Sequence, residues 1–158
     1  MAIIISDNSP LSLLITVSEV EILHKLFCQV FIPTEVAEEM QHPKAPEAVR
    51  KFMTAIPSWL TVRSPRHPVE FSTLDPGESA AISLALELNA PLMIDERDGR
   101  EIARSQGLEV FGATGVLERA ADIGLIKDLE AVYTKIRTLR FHIAENILIE
   151  SLDRHKKK

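Results

Sequence analysis

Four carboxylates, Asp7, Glu39, Glu78 and Asp95, stand at strand ends or beside apolar helix stripes, where they could act together. Asp7 follows the β-branched run Ile3-Ile4-Ile5 after Ser6, and Asp95 ends the apolar run Leu92-Met93-Ile94. Glu78 opens an amphipathic stretch. At about 100° per residue it shares a face with Ala81, Ile82, Ala85 and Leu88, while Ser79, Ser83 and Glu87 fall opposite. An acid on an apolar face must cap, pair or bind a cation. Glu39 borders the stripe Val36, Ala37 and Met40, whereas Glu38 points nearly opposite and Glu35 lies farther round. Carboxylates gathered without counter-charge repel and raise one another's pKa. An all-oxygen set of this kind suits Mg²⁺ or Mn²⁺, which lower the pKa of bound water and clamp the oxygens of a phosphodiester. The chemistry implied is hydrolysis of a phosphate ester. Each acid taken singly also has a plain use: Asp7 as a helix cap, Glu39 as one of three solvated glutamates.

The elements must bring these acids to one edge. Short apolar runs between turn signals read as strands covered on both faces: Ile3–Ser6, Val30–Ile32, Leu92–Ile94 and Val110-Phe111, with a small one at Trp59–Val62. Amphipathic segments between them read as helices. The first opens at Pro10 with Ser9 as its cap, followed by Glu19–Phe27, Thr34–Gln41 and Glu47–Ala55. Asp75 and Pro76 suit the N-cap and first position of the next helix, and Gly107 stops Glu96–Gln106. Val116–Ile123, Asp128–Leu139 and Ala144–Leu152 complete the set. Such alternation predicts a single three-layer α/β domain over residues 1–150, with a mainly parallel central sheet flanked by helices. Right-handed crossovers would then align the carboxyl ends of the strands along one edge. Phe141-His142-Ile143 reads as an edge strand, Arg63–Ser72 as irregular, and residues 151–158 as a basic, disordered tail. The turn Gly112-Ala113-Thr114-Gly115 can present backbone N–H groups and the Thr114 hydroxyl to an anion, or simply allow close packing.

Composition narrows the classes. The chain of 158 residues suits one domain with a proper core, and its 46% hydrophobic and 26% charged content is that of an ordinary globule. No apolar run approaches the roughly 18 residues of a membrane span. Met1–Asp7 lacks the features of a secretory leader. Cys28 stands alone, which excludes an internal disulfide framework and a multi-cysteine zinc site. A cytoplasmic home is the expectation. The net charge of −5 argues against a nucleic-acid partner by itself. A bound cation would offset clustered carboxylates locally, however, and Arg97, Arg100 and Arg104 follow directly on Asp95. Arg97 and Arg100 are thereby candidates for phosphate contacts. A phosphoaspartate receiver or haloacid-type phosphatase fits less well: Asp7-Asn8-Ser9 lacks the Asp-x-Asp pattern, and no lysine ends a late strand.

Ile5-Ser6-Asp7-Asn8-Ser9-Pro10-Leu11 resembles the opening of PIN-domain proteins. Ile32-Pro33 with Val36 and Glu39-Met40 resembles the segment carrying their second acid. Asp75-Pro76-Gly77-Glu78, Asp95-Glu96, Gly99-Arg100 and the stretch from Gly112 to Gly124 resemble one uncharacterised branch of that superfamily. The similarity runs from Ile3 to about Ile149. It implies a Mg²⁺- or Mn²⁺-dependent endoribonuclease, of the kind that serves as the toxin of a prokaryotic toxin–antitoxin pair, dimerises and is held by a small antitoxin. It matches Asp7, Glu39, Glu78 and Asp95 to the acidic quartet and Ser9 to a small polar residue that orients the first aspartate. Asp98, three residues after Asp95, can share its helical face and is a further metal candidate. Asn8 replaces the usual small hydroxyl residue; on an extended strand its side chain would alternate away from Asp7. The alternative is a PIN-like scaffold that binds RNA or a protein partner without cleaving.

Overall fold

The computed structural model describes residues 2–158; Met1, with which the expected domain and the leader test begin, lies outside them. The elements run β1 (Ile3–Ser6), α1 (Asn8–Thr16), α2 (Glu21–Leu26), β2 (Gln29–Ile32), α3 (Thr34–Gln41), α4 (Glu47–Met53) and β3 (Leu60–Val62). Then come α5 (Pro76–Leu88), β4 (Leu92–Met93), α6 (Arg97–Ser105), β5 (Val110–Phe111), α7 (Ala113–Asp122), α8 (Leu129–Thr138) and α9 (Glu145–Lys156).

Period-two alternation divides the strand residues between two cores. Ile4, Val30, Ile32 and Met93 join α1, α3, α7 and α8 in the larger one. Ile5, Leu92 and Ile94, with Ile3 and Phe31 at its margin, pack against α5 and Ala103 of α6 in the smaller. Both faces are therefore covered, as runs without polar alternation require, and the fold is a three-layer α/β domain. The strand order is β3-β2-β1-β4-β5, every pairing is parallel, and β1 lies at the centre. The order reverses between β1 and β4, the switch point where open α/β sheets bind ligands. Asp7 and Asp95 follow the two strands on either side of it.

Several local expectations are corrected. The first helix begins at Asn8 rather than at Pro10, so Asp7 and not Ser9 takes the N-cap position. Gly112 is the N-cap of α7, which starts at Ala113, so the Gly-Ala-Thr-Gly turn is largely the first helical turn. Phe141-His142-Ile143 is no strand: Phe141 and Ile143 both pack onto the edge of the larger core, which satisfies them without sheet pairing. Residues beyond 150 are not a frayed tail. α9 continues to Lys156 because Arg154 and Lys158 reach Glu118 of α7 at 3.0 Å each.

Candidate functional site

Asp7 is the centre of the arrangement. Its backbone N–H donates to the Met93 carbonyl at 2.9 Å, which ties the ends of β1 and β4 together. It occupies the N-cap position of α1, yet its side chain makes no capping hydrogen bond. The residue is only 6% exposed. Burial pushes its carboxyl up to about 7; the adjacent Asn8 N–H works against this, and the carboxylates of Glu78, Asp75 and Glu39 push further in the same direction. The cap explanation for Asp7 therefore fails on geometry. What remains is a buried acid facing three others.

Glu78 is buried on α5 and reciprocates with Asp75 in a capping box. Its N–H donates to Asp75 Oδ1 at 2.8 Å, and its Oε1 accepts from the Asp75 N–H at 3.0 Å. This solves the apolar-face problem in part: the acid caps its own helix, which contributes about 1 kcal/mol. Burial raises its pKa, the Asp75 N–H opposes that, and the Asp75 and Glu96 carboxylates add to it. Glu39 reaches the group from α3, where the Asn8 side-chain amide donates to Glu39 Oε2 at 3.2 Å. Partial loss of water raises the Glu39 carboxyl, the Asn8 amide lowers it, and Asp75 raises it. Asn8 is thus a positioning group for Glu39, held in turn by Ser12 Oγ at 2.6 Å, and does not point idly away on a strand.

Asp95 is held differently. Its Oδ1 accepts from the Ala113 N–H at 2.8 Å, so the N–H that the sequence offers to an external anion is used by an internal one. Burial raises its pKa; the Ala113 N–H and the nearby Arg100 guanidinium oppose that. The three acids Glu39, Glu78 and Asp95 share one feature. Each is anchored through a single carboxylate oxygen, and the second oxygen has no protein hydrogen bond among the described residues.

The structure thus groups Asp7, Glu39 and Glu78 with Asp75, and sets Asp95 at the neighbouring strand end. Among the described residues, no three carboxylate, histidine or cysteine side chains converge tightly enough to hold a metal ion as they stand. The donor chemistry fits a hard divalent cation: oxygen atoms only, mutually repelling, with open lone pairs. Asp98 is exposed in the first turn of α6. Arg97 pairs with Glu101 on the surface at 3.2 Å, and the Arg100 guanidinium turns toward Asp95 and Gly112. Ser9 is exposed near the start of α1 and lines a cleft with Asp95; the Thr114 carbonyl accepts from the Tyr133 hydroxyl at 3.2 Å. The sequence reads Asp75 only as a helix cap and Glu96 only as a neighbour of the last acidic position, yet both carboxylates act on Glu78. Both are helix N-caps, and the spacing Asp75-x-x-Glu78 was the available signal.

A family model described as PIN domain matches residues 3–157. Among solved structures, a PilT N-terminus domain protein from the hyperthermophilic archaeon Sulfolobus solfataricus P2 superimposes with a TM-score of 0.55. The two are 20% identical, over 76% of this chain and 93% of that one. At that identity the likeness speaks for the fold. No curated protein matches the chain.

Proposed function

Because this chain belongs to the PIN-domain family, a nuclease-type fold, we propose that it is a Mg²⁺- or Mn²⁺-dependent endoribonuclease working at the carboxyl edge of its sheet. One observation carries the reading: Asp7, buried at the end of the central strand, lies beside three carboxylates and makes no side-chain capping hydrogen bond. A fold keeps such an arrangement only where something offsets its cost, and a divalent cation does so directly. Asp7, Glu39, Glu78 and Asp95 would hold the ion, with Asp98 at the margin. Bound there, the ion would supply an activated water and charge stabilisation for phosphodiester hydrolysis. Asn8 orients Glu39 and the Ala113 N–H orients Asp95; Ser9 and Thr114, near the two strand ends, would take supporting roles. Arg100 holds positive charge beside Asp95, and Arg97, by exchanging Glu101 for a phosphate, extends it outward. In the same family reading the protein is a toxin that forms a homodimer and is held by a small antitoxin.

The test is cleavage of total cellular RNA by the purified protein with Mn²⁺, beside an EDTA control and an Asp95→Asn variant. Cleavage should require the metal and fall at least about a hundredfold in the variant, more than the loss from removing a merely orienting group. Full cleavage by Asp95→Asn would remove the acid site from the reaction.

A second reading, a non-catalytic PIN-like scaffold, has its own support: Glu78 and Asp95 both have structural employment, as cap partner and as acceptor from Ala113. Mn²⁺ separates the two. A true site raises the melting temperature with added ion, whereas a scaffold stays where it is.

A further inference from the structure

A cleft of about 280 Å³ opens beside Asp95, between Ser9 and Leu13 of α1, the Asp95-Glu96 pair, and the segment 141–143. We propose that it is a base pocket: it receives one unpaired nucleobase of the RNA, beside the phosphate presented to the carboxylate edge, and favours a base with an exocyclic amino group. The proposal rests on the ribonuclease reading for its ligand class. It adds a specificity site that the acids alone do not provide.

The walls combine apolar side chains with two carboxylates. Leu13 is almost fully buried, and Phe141 and Ile143 are half-buried and pack against the larger core, which holds them in place. An aromatic ring beside aliphatic surface is the usual platform for a splayed-out base in single-stranded RNA. Asp95 belongs both to this cleft and to the carboxylate edge, so an occupant here lies directly beside the reacting region.

The polar groups choose among occupants. Asp95 and Glu96 repel a phosphate, which leaves the base rather than the backbone as the group that enters. Glu96 is fixed by its Oε2, which accepts from the Gly99 N–H at 2.8 Å. Its Oε1 has no protein hydrogen bond among the described residues and is an acceptor in search of a donor. Carboxylates read amino groups such as cytosine N4, whereas the O4 of uracil would meet them lone pair to lone pair. His142, exposed at the rim, adds a donor for the ribose or the flanking phosphate.

The experiment is titration of the ¹⁵N-labelled full chain, in EDTA, with cytidine and separately with uridine. Cytidine should move the amide signals of Ser9, Glu96 and residues 141–143, with uridine about tenfold weaker. Glu96→Gln keeps an acceptor for the α6 cap and should narrow that difference; Phe141→Leu keeps apolar bulk and should weaken both nucleosides about tenfold. The melting temperature of each variant checks that it has folded. Signals unmoved by either nucleoside would overturn the proposal, as would discrimination unchanged in Glu96→Gln. Movement by an arginine amide but by neither nucleoside would overturn it in favour of a basic peptide. Binding without any RNA cleavage would keep the pocket and sink the nuclease reading. Cleavage with unmoved signals would do the reverse.

Discussion

Asp7 differs from an ordinary capping acid in what its surroundings do to its charge. Its carboxyl titrates at about 7 against an ordinary 3.8, because burial and three neighbouring carboxylates disfavour the charge. The folded state therefore binds the proton more tightly than the unfolded chain does. The penalty from this one group is absent at low pH and grows as pH rises from about 4 to about 7. The distance from 3.8 to about 7 corresponds to about 4 kcal/mol as an upper bound. Asp7→Asn removes the charge at nearly constant shape. In EDTA at pH 8 its melting temperature should exceed that of the native protein by several degrees, and the gap should close toward pH 4. Adding Mn²⁺ should reverse the order, stabilising the native chain and leaving the variant unmoved. An Asp7→Asn protein that melts lower at pH 8 without metal would mean that the carboxylate is a stabilising structural group after all.

At the scale of elements, the two helices α3 and α5 decide whether Glu39 can join the site. Pro76 and Gly77 open α5 beneath the Glu39 side chain, and a Cβ at Gly77 would run into Glu39 Oε1. The obstacle is the free end of a flexible, exposed side chain, so it can move. Gly77→Ala should keep or slightly raise stability, by up to about 1 kcal/mol from helix propensity, while displacing the carboxylate. The Mn²⁺-induced melting shift should shrink in this variant; a full shift would exclude Glu39 from the ion. Much at this scale was legible in the chain. The 3.6-residue stripe of α3 gave both its bounds and its buried residues Val36, Ala37 and Met40, because nothing but the core competes for that face. On α5 the same reasoning fell short. Ser79, Ser83 and Glu87 look like a plain polar face, yet Ser79 and Ser83 are buried under residues 66–71. The backbone N–H groups of Phe71, Val69, Arg66 and His67 donate to these three side chains. Hydropathy cannot tell water from a strap of backbone, since both satisfy the same hydroxyls.

The whole molecule ties its far end to its site through buried polar contacts, and here the basic composition of the last residues misled. Lys and Arg runs at a terminus usually stay solvated. In this chain they have a buried partner. Glu118 is 8% exposed and accepts from Ser151 at 2.8 Å, from Arg154 at 3.0 Å and from Lys158 at 3.0 Å. The Tyr133 hydroxyl lies 2.6 Å from Ser151 Oγ and 3.2 Å from the Thr114 carbonyl in the first turn of α7, and its one proton is shared between these two acceptors. The preceding residue, Ala113, provides the N–H that holds Asp95, so α9 braces the helix on which that acid rests. Burial alone would raise the Glu118 carboxyl, but Arg154, Lys158 and Ser151 outweigh it and hold the pKa below the ordinary 4.5. The sign is opposite to that of Asp7. This contribution is complete above the unfolded pKa and is lost as pH falls through the folded value. Glu118→Gln should cost about 2 kcal/mol at pH 7, the scale of a hydrogen bond to a charged group, with the difference from the native protein fading below about pH 4. Calorimetry at the two pH values reads this directly, and amide exchange at Ala113 should quicken in the variant. Equal melting at pH 7 with unchanged exchange would detach α9 from the site and return the last residues to the role of a solvated tail.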